Sequence, residues 1–429
     1  MTLLVQEYLK SGKSLEDLYT EHGVKSNITN NKISLNYDQI EASNGDPLAC
    51  QCRGLILREN TYEIVACPMF RFFNIEQKEF AADIDWSSAA YEEKLDGTCL
   101  IVYFDDLQNT WCSATRSRSE ADCGIDGSDV TFSMLANEIC KSMYNKIHSD
   151  RLNDLMNDFM NGPDVNFNTT SNELIKSAFK NLNDLMDATQ RLHPEINIKT
   201  KTFIFELTSP INRIVCQYND SKLTLLAVRD NISLEEEDPN FWNAKEEFGI
   251  LTPQLYYFND VSNMIEVIRS WDPKEHEGVV VKDKYWNRIK VKNPAYLAYN
   301  HMRDSLATSM RGCAEVILLG KDDDVVGMMP DMIANRILKL KPAIAKVIEI
   351  TTKDYDELKH IENMKEFALE AQKRLWPAAL FALKRGKTKD LREFSLGNRT
   401  DVSKIPQNAT DSILELAKKV DPEIGRLMI

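Results

Sequence analysis

Residues 93–104 read EKLDGTCLIVYF, so that Lys94, Asp96 and Gly97 stand immediately before an apolar, strand-forming run. Upstream, from roughly Ile33 to Val102, short β-type stretches dominate (KISLNY, RGLILRE, YEIVACPMFRFFNI), broken by Asn, Asp and Gly turn signals, and the pattern reads as antiparallel sheet. Downstream, between about Asp129 and Asn197, the periodicity turns helical (FSMLANEICKSMYNKI, ELIKSAFKNLNDLMDATQRL), which predicts a helical insertion over about 129–198 with a loop at Gly162 and Pro163. Strand patterns resume in KTFIFELTS, KLTLLAVRD, EGVVVKD and NRIKVKN, with the acidic run from Glu235 to Asp238 read as a solvated loop. Beyond about Ala298 no strand pattern persists. Apolar residues at three and four spacing from Pro330 to Arg385, and again from Asp411 to Met428, predict helices. The chain therefore reads as α+β, with a sheet-containing domain over residues 1–300 and an all-helical domain over 301–429.

Composition bounds the class. At 429 residues the chain exceeds one average core, and 43% hydrophobic with 28% charged residues describes an ordinary soluble globular protein. No window approaches eighteen consecutive apolar residues, and acids interrupt the apolar positions of MTLLVQEYLKSGKSLEDLYTEHG, so a cytoplasmic protein with no membrane partner is expected. The chain is also expected to be a monomer. Nine scattered cysteines without CxxC units make neither a disulfide scaffold nor a zinc site; Cys50 and Cys52 have the spacing of two residues on one face of a strand. A net charge of −14 excludes a protein that coats nucleic acid through bulk charge. Any nucleic-acid site must be a local basic cleft, and three clusters qualify: Arg116 with Arg118, the run from Lys282 to Lys292, and KRGKTKDLR from Lys384 to Arg392, the last reading equally well as a solvated helix end.

A lysine becomes a nucleophile only on losing its proton, which nearby cations or a metal promote, so a catalytic lysine calls for further lysines and for carboxylates. Both follow Lys94 in order. Glu206 closes the apolar strand FIFE, Glu277 opens EGVVVK, and Lys290 and Lys292 lie on RIKVK. Strand alternation puts Arg288, Lys290 and Lys292 on one face and Ile289 and Val291 on the other, so one face is cationic and the other is core. A triphosphate with a carboxylate-held Mg²⁺ needs such a surface. Val280 reads as sheet core or as a residue pressing on adenine, and Trp376 and Phe381 as helix core with stacking on an RNA base as the alternative. His276 and the other histidines lack metal-ligand spacing, and no G-x-x-x-x-G-K-S/T loop is present.

The ordered set KLDG, FELTSPINRIV, LLAVRDN, EGVVVK and RIKVK resembles motifs I, III, IIIa, IV and V of the covalent nucleotidyltransferases, the superfamily of DNA ligases, RNA ligases and mRNA capping enzymes. Tyr37 in LNYD, Arg53 in CRGLIL, Arg71 in PMFRFFN and the phrase SPINRIV narrow the resemblance to the RNA ligase 1 type known from bacteriophage T4, over roughly residues 33 to 300. The resemblance implies an antiparallel-sheet nucleotidyltransferase domain, ATP-grasp-like, and ATP-dependent joining of an RNA 5′-phosphate to a 3′-hydroxyl, with broken tRNA as the expected substrate. It implies Lys94 as the AMP acceptor, Glu206 at the ribose hydroxyls, Lys290 and Lys292 at the α-phosphate, and Tyr37, Arg53, Arg71 and Gly97 toward the nucleotide. Glu277 and Asp96 are implied at the metal, Mg²⁺ or alternatively Mn²⁺. Arg71 departs from the family, which tends to carry a lysine there, and guanidinium and ammonium are not equivalent at a tight phosphate site. The helical stretch between Arg118 and Glu206 is longer than the family pattern. The region after Ala298 lacks the short strands and glycine turns of the OB-fold that DNA nick ligases and capping enzymes append. A lysine, two carboxylates and two further lysines kept together count against an inactive RNA-end-binding relative.

Overall fold

A computed structural model describes residues 2–125, 129–143, 181–242, 250–326, 329–396 and 407–426, which form two compact units, Met1–Pro294 and Ala295–Ile429. Most of the helical insertion expected at about 129–198 lies outside the described residues. Within its span, residues 132–143 and Leu182–Leu192 are helical.

The first unit is built on three sheets. One runs in the order β1 (Val24–Thr29), β2 (Lys32–Tyr37), β3 (Arg53–Arg58) and β4 (Ile64–Ala66). The second runs β11 (Glu236–Glu237), β10 (Lys222–Asp230), β9 (Lys201–Thr208), β7 (Thr98–Asp105) and β8 (Thr110–Ala114). The third runs β12 (Leu255–Tyr256), β6 (Ala90–Glu93), β13 (Gly278–Lys282), β14 (Arg288–Lys292) and β5 (Phe73–Asn74). Strand pairing is antiparallel throughout, as the turn signals predict, except that β5 lies parallel to β14.

The apolar run CLIVY has no polar alternation because β7 is covered on both faces. Leu100 and Val102 join Trp111, Phe203, Phe205 and the helix Leu182–Leu192 in one core, while Cys99, Ile101 and Tyr103 pack with Ile56, Ala66 and Ile204 in another. In the third sheet Val279, Val281, Ile289 and Val291 pack with Met264 and Ile268 of the helix Val261–Ser270. The other faces of β13 and β14 are thereby left to Val280, Lys290 and Lys292.

Two buried carboxylates fasten sheet to sheet. Asp105, at the end of β7, takes Lys32 of β2 at 2.7 Å and Arg58 of β3 at 3.1 Å, and the side chains of Lys32 and Asp105 are fully buried. Glu236, on β11, takes Arg229 of β10 and Arg288 of β14, each at 2.6 Å. The acidic run from Glu235 to Asp238 is thus solvated only at its ends, Glu235 and Asp238 being exposed, whereas Glu236 and Glu237 form β11 and turn to cations. Glu236 is 4% exposed, and Glu237 accepts from Lys201 at 2.5 Å and from the Trp242 indole at 2.9 Å. Burial of Glu236 is tolerable only because two guanidinium groups meet it. Cys50 and Cys52 also differ from expectation: Cys50 lies in the short helix Pro47–Gln51 and Cys52 caps it, the helix being started by Asp46 accepting from the Leu48 and Ala49 amides.

In the second unit every described element is helical. The 28-residue helix Asp331–Leu358 carries Ile333, Ile337, Leu340, Ile344 and Val347 into a core shared with Ile317, Met329, Trp376, Ile413 and Ala417. Pro342 lies inside that helix on its exposed side. The carbonyl of Leu338 that loses an amide partner there belongs to a residue 52% exposed, where water can replace it.

Removing one partner of a buried ion pair strands the other charge, at roughly 3–5 kcal/mol. Because Arg58 still faces Asp105, Lys32→Met is expected to lower stability by about 3 kcal/mol in urea denaturation. A loss smaller than about 0.5 kcal/mol would show that the pair does not hold these sheets together.

Candidate active site

Lys94 leaves the end of β6 beside β13. Its amide donates to the Gly278 carbonyl at 3.0 Å, and the Glu93 amide donates to the Gln254 carbonyl at 2.7 Å, so the backbone on either side of the lysine is pinned. The Lys94 ammonium lies 2.7 Å from Glu277 Oε2, and Lys292 lies 2.8 Å from Glu277 Oε1. One carboxylate, 3% exposed, therefore bridges two ammonium groups. The backbone at Gly278 has φ +147°, and a Cβ there would fall 2.1 Å from the Val291 carbonyl oxygen. Only glycine allows β13 to start this close to β14 with Glu277 reaching both lysines.

The KLDG turn is held from three sides. Asp96 Oδ2 accepts from the Val215 and Cys216 amides, both at 2.8 Å, and the Asp96 amide donates to the Tyr218 hydroxyl at 2.8 Å. The Gly97 amide donates to Glu206 Oε1 at 3.1 Å, and a Cβ on Gly97 would strike the Leu207 carbonyl oxygen at 2.3 Å. Asn212, from SPINRIV, donates to Thr98 Oγ1 at 3.0 Å and to the Leu207 carbonyl at 3.3 Å. That segment thus works by holding the lysine's loop. Asp96, expected at the metal, has the Oδ2 of its 2%-exposed carboxylate taken by backbone amides, which makes it an anchor of the turn in this structure.

Around this pair stand Glu206, Arg53 and Lys290. Glu206 pairs in register with Cys99 on β7; burial pushes its carboxyl up to about 7, with Lys94 and Arg53 opposing the shift and Glu277 adding to it. For Lys94, burial opposes the charge, yet Glu277 and Glu206 outweigh it and hold the ammonium above its usual range. Burial likewise opposes ionisation of Glu277, and the two lysines outweigh it and keep the carboxyl below its usual range. Lys290 goes the other way. Burial first, then Arg53, Lys94 and Lys292, depress it from 10.5 to about 6. Its ammonium nitrogen sits 4.7 Å from the Phe72 ring centre, and the Arg53 guanidinium carbon lies 5.6 Å from the same ring. Arg53 Nη1 is buried without a hydrogen-bond partner.

Tyr37 and Arg71 form a second group. The Arg71 guanidinium carbon is 4.2 Å from the Tyr37 ring centre and 5.0 Å from that of Phe73, Nη2 donates to Asn44 Oδ1 at 2.5 Å, and Nη1 is buried and unpartnered. Arg288 departs from the expected cationic face, being 5% exposed and bound to Glu236. Val280 pairs across the strands with Lys290 and so belongs to the site face and not to the core face. His276 packs against Trp271 at 4.9 Å between ring centres, and Trp376 is helical core. Sequence reasoning missed Phe72, Tyr218 and Glu236. Phe72 directly precedes β5, so strand alternation does not mark it. Tyr218 lies in a segment with no regular period and carries no such signal.

The sequence model of the RNA ligase family of the T4 RNA ligase 1 type matches residues 51–296. The chain belongs to this family. A baculovirus relative from Autographa californica nuclear polyhedrosis virus, assigned as a bifunctional polynucleotide kinase/RNA ligase, is 27% identical over 327 residues, which are 73% of this chain and 38% of that protein. The chain thus spans little more than a third of that relative. Among solved structures, an archaeal ATP-dependent RNA ligase aligns over 97% of this chain and 90% of its own at 12% identity with a TM-score of 0.38. A variant of Naegleria gruberi RNA ligase solved with ATP and Mn aligns over 50% of this chain and 52% of its own, at 12% identity and a TM-score of 0.29.

At pH 7.5 the depressed Lys290 amine is mostly neutral, and a bound polyanion favours its charged form. Pyrophosphate binding is therefore expected to take up about one proton, read by calorimetry in buffers of different ionisation enthalpy, and Lys290→Met is expected to abolish the uptake. Because pyrophosphate can itself release a proton on binding, the comparison decides, and equal proton exchange by the unmodified protein and Lys290→Met would remove Lys290 from the anion's surroundings.

Proposed function

We propose that the chain is an ATP-dependent RNA ligase that works through a covalent AMP on Lys94. The observation that carries this reading is the buried Glu277 carboxylate bridging Lys94 and Lys292, with Lys290 and Arg53 beside it and a buried guanidinium N–H left without a partner. Four cations gathered around two carboxylates at a desolvated surface leave an excess of positive charge that fits a polyphosphate. Membership of the RNA ligase family supports the same reading.

In the first step Lys94 Nζ attacks the α-phosphorus of ATP; the nitrogen–phosphorus bond forms and the bond to pyrophosphate breaks. Lys292 and Lys290 face the charge that develops on the phosphates, and Arg53 offers its unpartnered N–H. Glu206, level with Cys99 and fixed by the Gly97 amide, is placed to accept from ribose hydroxyls. Lys94 is held as an ammonium by Glu277, so it must lose a proton before attack, and that step favours any arrangement that draws Glu277 toward another cation. Glu277 is the residue that would hold Mg²⁺ or Mn²⁺, which supplies positive charge against the phosphates. One carboxylate suits a hydrated ion completed by water and substrate phosphate, and no group of three metal-ligating side chains occurs among the described residues. The AMP then passes to an RNA 5′-phosphate, and a 3′-hydroxyl displaces it, each step a phosphoryl transfer at the same cations. The substrate is RNA with 5′-phosphate and 3′-hydroxyl ends, broken tRNA being the family expectation, and the protein acts as a cytoplasmic monomer.

Incubation with α-labelled ATP and Mg²⁺ is expected to leave label on the denatured protein, and Lys94→Ala is expected to lose it by at least a thousandfold, since no other side chain supplies an amine from the end of β6. Label on the Lys94→Ala protein at the native level would sink the assignment.

The helical unit is proposed to choose the RNA, because all nucleotide motifs precede it and it carries the basic segment from Lys384 to Arg392. A chain ending at Pro294 is expected to form the enzyme adenylate at near the full-length rate. Its preference for a broken structured RNA over an unstructured oligonucleotide, read as the ratio of joining rates, is expected to be lost. An unchanged ratio in a truncation with a cooperative thermal transition would exclude that role.

A further inference from the structure

Glu236 lies outside every motif that the chemistry uses, yet it is among the most tightly engaged carboxylates of the first unit. Its Oε1 accepts from Arg229 Nη2 and its Oε2 from Arg288 Nη2, each at 2.6 Å, with side chains 4%, 8% and 5% exposed. The three residues belong to two different sheets, Arg229 and Glu236 being cross-strand neighbours on β10 and β11, and Arg288 opening β14.

Each arginine reaches one further segment of the site. Arg229 Nη1 donates to the Pro68 carbonyl at 3.3 Å, and its guanidinium carbon lies 4.3 Å from the Phe70 ring centre, which fixes the stretch leading to Phe72. Arg288 sits two residues before Lys290 on the same strand face, and the Lys290 carbonyl in turn accepts from the Ile75 amide at 2.9 Å, closing the segment back onto β14. Phe72 and Lys290 are the two sides of the contact that Arg53 shares.

We propose that Glu236 is a positioning residue for phosphoryl transfer: through Arg229 and Arg288 it sets Phe72 against Lys290 and so places the Lys290 amine at the phosphates. This rests on the adenylate reading above. Burying an Arg–Glu–Arg triad gives no net stability that well-packed apolar side chains could not match. What such side chains cannot supply is the fixed register of two guanidinium forks between sheets. The lysine must be held to a fraction of an ångström for transfer, and small displacements cost rate steeply.

The test is the triple variant Arg229→Met, Glu236→Leu, Arg288→Met, in which the buried charges go together and none is stranded. Stability by thermal melting is expected to stay near that of the unmodified protein. The rate of Lys94 adenylate formation at saturating ATP is expected to fall at least tenfold, and the Kd for pyrophosphate, read by calorimetry without turnover, to rise at least fivefold. A stable triple variant with native rate and native Kd would overturn the proposal and leave the triad a purely structural tie. Should the triple variant not fold, Glu236→Gln is compared with Lys32→Met, a break in the other inter-sheet ion pair. At equal loss of melting temperature, Glu236→Gln is expected to lose at least tenfold more adenylation rate, and equal losses would overturn the proposal. An unmodified protein that binds pyrophosphate but forms no adenylate would defeat the functional reading alone, with the pyrophosphate arm still deciding the role of Glu236.

Discussion

The constraint on which the first unit depends is the cost of one buried carboxylate. Glu277 is almost wholly removed from water, and a lone ionised carboxylate in that position would be untenable. Lys94 and Lys292 make it tenable, and to do so they must approach from β6 and β14 on either side of β13. The order of the third sheet, the glycine at 278 and the pinned backbone of Lys94 are all conditions for that meeting. The same requirement recurs at larger scale, where Asp105 and Glu236 each join two cations across sheets.

Once Glu277 is satisfied in this way, the neighbouring charges sort themselves. Lys94 has a counter-ion and stays charged, whereas Lys290, facing three other cations in a dry setting, does not. Glu206, desolvated but offset by Lys94 and Arg53, sits near the point of ionisation. Four titratable groups drawn from distant parts of the chain thus take different protonation states within one cleft, and groups pushed apart in this way mark places where proton and phosphoryl transfer can be divided between partners.

Much of this was legible from residue order and alternation. EKLDGTCLIVYF announced the strand and the lysine at its head, and RIKVK announced two lysines on the face opposite Ile289 and Val291, because strand side chains alternate. The same alternation misled at Arg288, since a face tells which side a residue takes and not which carboxylate from another sheet waits there. The acidic run at 235–238 misled at its centre for a related reason: consecutive acids usually mean solvent, as holds for Glu235 and Asp238, and only the tertiary meeting with Arg229, Arg288 and Lys201 draws in Glu236 and Glu237. Asp96 was legible as essential to its motif, but whether a carboxylate serves an ion or a turn depends on where the Val215 and Cys216 amides arrive, and sequence does not carry that.

The protonated state of Lys94 has a consequence for the resting protein. An amine paired with a buried carboxylate has no free lone pair, so aldehydes, activated esters and carbon dioxide find nothing there to combine with. Lys94 stays chemically quiet for as long as Glu277 holds it as an ammonium. Lys290 has the opposite tendency, since burial and the neighbouring cations disfavour its charged form.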